Sequence, residues 1–511
     1  MYFRKTKIVC TLGPASSDKK IIKNLIESGM NVARLNFSHG DEDTFENIIL
    51  TIRELSNDIA ILIDLPGPKI RTKKQLRKDI VLKKNSDIIL SNIKEFSDEK
   101  NIAVDYKYLT KDVARNNLIF IDDGKIKLKV LFALNKNELL CKIIKEGILK
   151  TEKGVNFLNV SLSVPSVTDN DFKVLKFGAE HNADMFAVSF VRKSDDIETV
   201  KIFLEKNYPS KKFFIISKIE KSEAVQNIYK ITEISDGIMV ARGDLGVETP
   251  IETIALKQKM IISVANSLNK PVITATQMLE SMVSNESPTR AEVTDITNAL
   301  LDGTDAVMLS EETAIGLYPQ LSVSYMEKII ETTEESSFFK NLLFNGGNNI
   351  SNVSLGNNNK YNNNENKKIL NNNKTCKGID NISYAAAKMA VSSSFIIKDS
   401  FIAAITRTGY TANLISSFRP IVPIIAIVPD LSVKRRLTLN FGVISLVMEK
   451  IAEKHVQIKE IIEFIIGNSG KIKNKKFKLS SNFRYAIITG GLPLGDPGST
   501  DFVRIIDLNK N

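Results

Sequence analysis

Short apolar runs alternate with amphipathic segments along the first part of the chain. Runs without polar interruption are typical of parallel strands that are covered on both faces. The segments between them carry helix signals: in "SSDKKIIKNLIESG" the serines can cap a helix, one face is apolar, and Gly29 ends it. Because strand and helix patterns alternate regularly, we predict an α/β fold, a closed (β/α)8 TIM barrel. Its strands are expected within residues 7–13, 31–39, 59–65, 184–190, 213–220, 237–245, 271–279 and 306–313.

The third and fourth runs are too far apart to be joined by one helix. Residues 72–154, which fill this gap, contain short alternating strands separated by Asp-Gly and Asn-Lys-Asn turns. This pattern predicts a small β-barrel domain inserted in a barrel loop. An insertion at the C-terminal face of a barrel can act as a lid over a site.

The composition changes after residue 340. Residues 345–374 are rich in Asn and poor in apolar residues, which is typical of a segment without a packed core. Beyond them helix and strand patterns alternate again, which predicts an open α/β domain. The expected organisation is a barrel of residues 1–71 and 155–340, an inserted domain of residues 72–154, an Asn-rich linker or insertion of residues 341–376, and a C-terminal domain of residues 377–511.

Composition narrows the classes of function. The net charge of +11 suggests anionic partners, but the basic residues are spread along the chain, with one modest cluster at 470–478. We therefore expect small phosphorylated substrates rather than nucleic acid. Cys10, Cys141 and Cys376 are far apart and form no CxxC motif, which favours a reducing, cytoplasmic setting. No apolar run approaches the ~20 residues of a membrane span, and the first strand pattern leaves no room for a signal peptide.

Polar and charged residues collect at the ends of the predicted strands. In a barrel these ends meet at one face, where sites are built. Glu220 and Asp244 follow neighbouring strands, so their carboxylates can share a divalent cation, for which oxygen ligands favour Mg2+ or Mn2+. A structural salt bridge would explain any one of these residues alone, but not their common location. The strand-end residues are Arg34, Asn36, Ser38, Asp64, Lys218, Glu220, Asp244 and Thr276.

Two common site types do not fit the sequence. The chain has only three histidines, which excludes a histidine-rich zinc site. No GxxxxGK[ST] motif occurs, so a nucleotide would not be held by a P-loop. A divalent ion beside a lysine and an arginine instead suits phosphoryl transfer, in which the protein positions the group and supplies positive charge.

Several longer motifs are similar to those of a known family. The stretches "KIVCTLGPAS", "NVARLNFSHG", "SKIE", "SDGIMVARGDLGVE", "ITATQMLESM", "PTRAEVTDITNALLDGTDAVMLSEETAIGLYP" and "GSTDFVRI" resemble pyruvate kinase, in the same order and over nearly the whole chain. The resemblance implies that the phosphoryl group of phosphoenolpyruvate is transferred to ADP, giving pyruvate and ATP in the last step of glycolysis. It also implies a homotetramer, and the composition given above favours a cytoplasmic protein without nucleic-acid or membrane partners.

The resemblance also implies roles for the substrate-binding residues. Glu220 and Asp244 would hold Mg2+, with Mn2+ as a possible substitute. Lys218 would neutralise charge on the phosphoryl group and on the developing enolate, and Arg34 would bind the phosphate. The substrate carboxylate and the carbon that is later protonated would lie near the backbone amides of Gly243 and Asp244 and near Thr276.

The implied nucleotide site is made of residues outside the strand ends. Arg71 and Lys153 would approach the nucleotide phosphates, and a second Mg2+ would arrive with ADP. His39 is assigned to the same site, although a hydrogen bond within its loop would equally explain it.

A potassium site is the one place where the sequence departs from many relatives in a way that changes the chemistry. In many pyruvate kinases K+ lies beside the substrate phosphate. Those enzymes have Glu where this chain has Lys69, and Lys at this position resembles a branch that does not need K+. We hypothesise that the Lys69 ammonium replaces the ion; a surface lysine is the alternative. The matching K+ ligands are Asn36, Ser38, Asp64 and the carbonyl of Leu65.

Two other functions remain open on the sequence alone. One is a different Mg2+-dependent barrel enzyme that acts on enolates, such as a phosphoenolpyruvate-type lyase or mutase. The other is a non-catalytic paralogue that serves as a regulatory subunit. Dependence of turnover on ADP would distinguish the first, and retention of Lys218, Glu220 and Asp244 argues against the second.

Overall fold

The computed structural model describes residues 3–77, 79–122, 124–158, 160, 162–346, 380–452, 456–468, 483–492 and 500–509. Most of the predicted Asn-rich linker lies outside these ranges, as do Cys376 and the basic cluster at 470–478.

The strands fall into three groups along the chain. The first barrel strands are β1 (Lys7–Leu12), β2 (Val32–Asn36) and β3 (Ala60–Asp64). The inserted strands are β4 (Ile80–Leu82), β5 (Asp87–Ser91), β6 (Asn101–Ala103), β7 (Leu118–Ile121), β8 (Ile126–Asn135), β9 (Glu138–Lys145), β10 (Gly147–Leu149) and β11 (Val155–Phe157). The remaining barrel strands are β12 (Met185–Val188), β13 (Phe214–Ile219), β14 (Gly237–Ala241), β15 (Val272–Ala275) and β16 (Ala306–Leu309). The C-terminal strands are β17 (Ser400–Ile405), β18 (Ile424–Val428), β19 (Val443–Val447), β20 (Tyr485–Gly490) and β21 (Phe502–Asp507).

Helices separate most of the parallel strands. Those of the barrel and the insertion are α1 (Lys19–Glu27), α2 (Glu42–Leu55), α3 (Leu109–Asp112), α4 (Asp169–Glu180), α5 (Ser194–Asn207), α6 (Ser222–Gln226), α7 (Ile228–Ile234), α8 (Arg242–Glu248), α9 (Ile254–Ser267), α10 (Arg290–Leu301), α11 (Glu311–Ala314), α12 (Pro319–Glu335) and α13 (Ser337–Gly346). Those of the C-terminal part are α14 (Asn381–Ile396), α15 (Tyr410–Ser417), α16 (Leu431–Arg436) and α17 (Ile458–Gly467). Within the described ranges, no helix is both long enough and apolar enough to cross a bilayer.

Eight parallel strands close into a barrel in the order β1-β2-β3-β12-β13-β14-β15-β16, which confirms the predicted fold. Each predicted run contains one of these strands. Both strand faces are buried: inward-pointing residues such as Leu62 and Met239 fill the barrel, and outward-pointing residues such as Ile61 and Ile238 pack under the helices. This double burial accounts for the nearly uninterrupted apolar runs.

The run at 237–245 is longer than its strand. β14 ends at Ala241, and α8 begins at Arg242, so Asp244 lies in a helix rather than at a strand end. Leu245 is as buried in the helix as its neighbours are in the strand, and hydrophobicity alone therefore does not mark the boundary.

The inserted segment forms a strand-rich domain with its own core. Its main sheet has the order β11-β7-β8-β9-β5-β6, and β4 pairs with β10. β11 begins just after the predicted boundary at 154, but it pairs with β7 and so is part of this sheet. We use the name lid for β4–β11. An isolated bridge between Arg71 and Gly154 brings the two connections to the barrel together.

The C-terminal domain is an open α/β sheet of order β19-β18-β17-β20-β21, in which β21 alone is antiparallel. It contacts the barrel where the strands begin. Gly442 N–H donates to the carbonyl of Lys5, and Lys7 Nζ donates to the carbonyl of Val443 at 2.7 Å. The lid joins the barrel at the other end, because the chain enters it after the last residue of β3.

Candidate active site

Asp64, the last residue of β3, is fully buried between two cations. Its Oδ2 lies 2.7 Å from Arg34 Nε, and its Oδ1 lies 3.0 Å from Lys218 Nζ. Burial alone would raise the pKa of Asp64, but the charges of Lys218 and Arg34 outweigh it and lower the pKa. Asp64 is therefore an ionised carboxylate that fixes both cations.

Lys218 lies on β13 and is surrounded by oxygen. Besides Asp64, its Nζ contacts Ser189 Oγ at 2.7 Å and Glu220 Oε1 at 2.9 Å. Burial opposes its charge, but Asp64 and Glu220 more than compensate and raise the pKa of Lys218. The lysine is held as a buried ammonium that points to the carboxyl end of the barrel.

Glu220 and Asp244 form the candidate metal site. Glu220 is 1% exposed, and its Oε2 accepts a hydrogen bond from Phe190 N–H at 2.7 Å. Burial raises the pKa of Glu220; Lys218 opposes this effect, and the nearby Asp244 charge adds to it. A buried carboxylate whose charge is opposed by a second carboxylate nearby suits a divalent cation.

The candidate metal site offers few protein ligands. Among the described residues, no group of three or more His, Cys, Asp or Glu side chains could hold a metal ion. Mg2+ is commonly bound by one or two carboxylates, with water and substrate oxygens as the other ligands. The pair therefore fits Mg2+ or Mn2+ better than an ion that needs a complete protein cage.

Thr276 follows β15 in a strained conformation. Its φ of 67° is unusual for a β-branched residue. Its hydroxyl accepts a hydrogen bond from Gly243 N–H at 2.7 Å and donates to the carbonyl of Ala275 at 2.7 Å. The structure thus brings Thr276 against the start of α8, but the Gly243 amide is occupied by this hydroxyl. An anion would have to displace the hydroxyl to reach it.

The residues assigned to the potassium site are close in sequence and structure. Ser38 N–H donates to Asn36 Oδ1 at 3.2 Å, and Leu65 N–H donates to the carbonyl of Ala187 at 2.9 Å. Both oxygens of Asp64, however, are engaged by Arg34 and Lys218, as described above.

Lys69 lies at the mouth of this region. It is exposed, and its Cε would be 3.9 Å from a Cβ at Gly154. Its side chain therefore runs along the connection to the lid. Among the residues that the structure describes, the Lys69 ammonium forms no ion pair.

The assigned nucleotide residues lie around the lid connections. Lys153 Nζ is 3.4 Å from Asp122 Oδ1 in the lid, and Arg71 pairs with Gly154. His39 is exposed; partial burial of its ring, and then the charges of Lys69, Arg71 and Arg34, lower its pKa. The contributions of these three side chains place positive charge at the mouth of the site, as expected where phosphates bind.

Sequence reasoning missed two residues that support the site. Ser189 contacts both Lys218 and Asp64, and Phe190 supplies the backbone donor to Glu220. Both residues end the predicted run at 184–190, so the rule that strand ends carry function could have found Ser189. Phe190 acts only through its backbone N–H, and the residue type does not indicate which backbone groups take part in a site.

Two family models match the chain. The model described as "Pyruvate kinase, barrel domain" matches residues 3–323, and "Pyruvate kinase, alpha/beta domain" matches residues 382–506. The chain belongs to the pyruvate kinase family. It is therefore a phosphotransferase of the kinase class, as the resemblance implied.

Individual members of the pyruvate kinase family are similar over nearly the whole chain. The chain is 39% identical to the pyruvate kinase of Thermococcus litoralis, covering 99% of this chain and 98% of the relative. It is 38% identical to the pyruvate kinase of Staphylococcus saprophyticus, covering 98% of this chain and 80% of that relative. A crystal structure of a pyruvate kinase from Cryptosporidium parvum superposes with a TM-score of 0.84 at 32% identity, covering 99% of this chain and 96% of that one. Membership in the family is consistent with a divalent metal cofactor.

Proposed function

We propose that this pyruvate kinase transfers the phosphoryl group of phosphoenolpyruvate to ADP, with Mg2+ bound by Glu220 and Asp244. The observation that carries the proposal is the buried group of Arg34, Asp64 and Lys218 next to Glu220. It presents two fixed cations beside two carboxylates at the end of the barrel that the lid faces.

Each cation has a distinct part in the reaction. The P–O bond to the enol oxygen breaks while a new bond forms to a terminal phosphate oxygen of ADP. Arg34 binds the phosphate and keeps it in line, and Lys218 stabilises the negative charge that develops on the enolate oxygen. Because both side chains are already fixed by Asp64, they need little reorganisation when the charge develops. When bound by Glu220 and Asp244, the metal would supply further positive charge to the substrate.

The enolate must finally gain a proton at its methylene carbon. Thr276 is proposed to lie beside this carbon and the substrate carboxylate, together with the amides of Gly243 and Asp244. The hydrogen bond that the Gly243 amide donates to the Thr276 hydroxyl supports this role, because it already holds the threonine against α8. Binding of the carboxylate would exchange this bond for one to the substrate.

The nucleotide is proposed to bind between the lid and the barrel. Arg71, Lys153 and His39 would contact its phosphates, and a closed lid would exclude water that could otherwise take the phosphoryl group. The positive field at His39 supports this location.

We further propose that K+ is not required, because the Lys69 ammonium supplies the charge that the ion provides in other pyruvate kinases. Lys69 has no ion-pair partner among the described residues, and its charge acts on His39 at the same mouth. Its long side chain can turn towards a bound phosphate. Asn36, Ser38, Asp64 and Leu65 would form the K+ site if the ion were used.

The first test is pyruvate formation from phosphoenolpyruvate and ADP with Mg2+, in buffer stripped of K+ and then with K+ added. We expect full activity without K+, and Lys69→Glu should make activity depend on K+. Activity of the parent only with K+ would contradict the role of Lys69. The variant Lys218→Met should still bind substrate but lose pyruvate formation. No activity of the parent under either condition would favour a non-catalytic paralogue, and turnover without ADP would favour a lyase or mutase.

The assembly and location implied by the resemblance are part of the proposal. We expect a cytoplasmic homotetramer. Sedimentation equilibrium of the full chain tests the oligomeric state, and a mass of one or two subunits at micromolar concentration would contradict it.

A further inference from the structure

A buried carboxylate, Glu248, lies where the lid meets the barrel. It is the last residue of α8 and is 3% exposed. Its Oε1 accepts a hydrogen bond from Asn156 Nδ2 at 3.2 Å and lies 2.5 Å from Lys221 Nζ. Asn156 is the middle residue of β11 in the lid, so one carboxylate oxygen joins the lid to two segments of the barrel.

Both barrel segments that meet at Glu248 carry a proposed metal ligand. Lys221 directly follows Glu220, and Asp244 lies one turn before Glu248 in the same helix. Ser222 also donates its hydroxyl to the backbone carbonyl of Glu248 at 2.9 Å. The end of β13 and the end of α8 are therefore tied together through side chain and backbone. These ties fix the spacing of the two proposed metal ligands.

Lys221 also contacts Phe190, whose backbone N–H orients Glu220. Lys221 Nζ lies 5.4 Å from the centre of the Phe190 ring, and the N–H of Phe190 donates to Glu220. Phe190 has a φ of 53°, which is uncommon for a residue other than glycine. Lys221 therefore touches both Glu248 and the residue that holds Glu220 in place.

Burial makes this junction sensitive to the position of the lid. A buried carboxylate must be compensated by hydrogen bonds and opposite charge. If the lid moved away, Asn156 would leave, and among the described residues the Glu248 carboxylate would keep only Lys221 as its side-chain partner. Removing a hydrogen-bond partner from a buried charged group favours rearrangement or entry of water.

We propose that Glu248 is a positioning residue that couples lid closure to the geometry of the metal site. The closed lid, through Asn156, holds Glu248 and Lys221 in the arrangement that sets Glu220 and Asp244 at the distance the metal requires. The inference rests on the proposed function, because it assumes that these two carboxylates bind the metal.

The first test variant adds a negative charge where the lid meets the barrel and leaves both proposed metal ligands unchanged. Asn156→Asp places a second carboxylate against Glu248, which should push β11 away from α8. Outer-shell changes of this kind typically weaken metal binding by about 10- to 100-fold. We expect the dissociation constant of Mn2+, measured by electron paramagnetic resonance with Mn2+ alone, to rise about tenfold, the lower limit of that range. Amide hydrogen exchange in residues 155–157 should rise as well.

The double variant N156D/E248Q provides the rescue. It restores one amide and one carboxylate with their positions exchanged, so the net charge equals that of the parent and Lys221 keeps an anionic partner. Mn2+ binding and hydrogen exchange should return towards the parent values. The matched control is Asn137→Asp, in the turn between β8 and β9 of the lid, which adds the same charge away from the barrel and should change neither quantity.

The outcomes distinguish a failure of the coupling from a failure of the proposed metal site. If N156D binds Mn2+ as tightly as the parent while the parent's binding is lost in Glu220→Gln, the coupling is wrong and the metal site stands. If the parent does not bind Mn2+, or if Glu220→Gln binds it equally well, the proposed metal site fails and the coupling fails with it. A thermal midpoint of N156D equal to that of the parent shows that weaker binding does not come from general unfolding. If N156D/E248Q binds as weakly as N156D, the coupling is also wrong.

Discussion

Arg419 joins the C-terminal domain to the beginning of the barrel through a buried ion pair with two hydrogen bonds. Its two terminal nitrogens lie 2.8 Å and 2.9 Å from the carboxylate oxygens of Asp305, and both side chains are 5% exposed. The guanidinium also donates to the carbonyl of Gly303 at 2.6 Å and lies 4.7 Å from the centre of the Phe441 ring. The substitution Arg419→Met keeps much of the length of this side chain and removes its charge and its donors.

The size of the destabilisation depends on which contacts Asp305 keeps after Arg419 is replaced. Removing one partner of a buried ion pair costs about 3–5 kcal/mol, because the other charge stays buried without compensation. Asp305 keeps two backbone donors, Phe441 N–H at 3.2 Å and Val272 N–H at 2.9 Å. We therefore expect a loss of stability near the lower limit, about 3 kcal/mol. The double variant D305N/R419M leaves no buried charge and should be closer to the parent than R419M.

Urea unfolding followed by far-ultraviolet circular dichroism measures this effect, since the chain contains no Trp for fluorescence. A protein of several domains need not unfold in one step, so the midpoint of the first transition is the quantity to compare. The control is Arg484→Met, which removes the arginine of a surface pair with Asp507 at 3.0 Å and should leave the midpoint unchanged. If R419M is as stable as R484M, the pair does not hold the domains together.

Two further predictions concern the pH dependence of stability and the connection to the lid. Burial, reinforced by a nearby positive charge, lowers the pKa of Lys7 from 10.5 to about 7. Between these values the unfolded chain binds more protons than the folded one, so stability should rise with pH, by up to about 1.4 kcal/mol per unit. Urea midpoints between pH 7 and 9 should show this rise in the parent and not in Lys7→Met; equal slopes would contradict it. Arg192 donates to the carbonyls of Leu162 at 2.5 Å and Val164 at 2.8 Å, where the chain returns from the lid. Arg192→Met should therefore speed amide exchange in residues 162–166 and lower kcat, and unchanged exchange would show that this contact does not restrain the connection.

The barrel could be predicted from the sequence because its strands are buried on both faces and recur in a regular order with helices. Strand ends were harder to place. The run at 237–245 includes the first residues of α8, since Leu245 is buried in a helix as completely as Val240 is in β14. The hydrophobic pattern indicates that these residues are buried, and both the strand and the helix are buried here. It does not indicate the backbone conformation, which is what distinguishes the two elements.

The site was predictable as a set of residues but not as a network. The strand-end rule selected Arg34, Asp64 and Lys218, and the structure brings their side chains into contact. It could not show that Asp64 is already paired with both cations, because pairing depends on distances between strands that are far apart in sequence. The backbone donor of Phe190 was likewise out of reach, since any residue except proline offers the same N–H.

Charge balance explains how such a group can be buried at all. Arg34 and Lys218 carry two positive charges, and Asp64 and Glu220 can carry two negative ones, so the ion-paired cluster sums to zero without any ligand. A divalent cation, even with Asp244 counted as its second carboxylate ligand, would leave this region with excess positive charge, and a phosphate-bearing anion alone would leave it negative. Each therefore removes the imbalance that the other creates, and because charges interact strongly away from water, binding of one should strengthen binding of the other. On the same reasoning a closed lid should strengthen this coupling, since an open site full of water would screen these interactions.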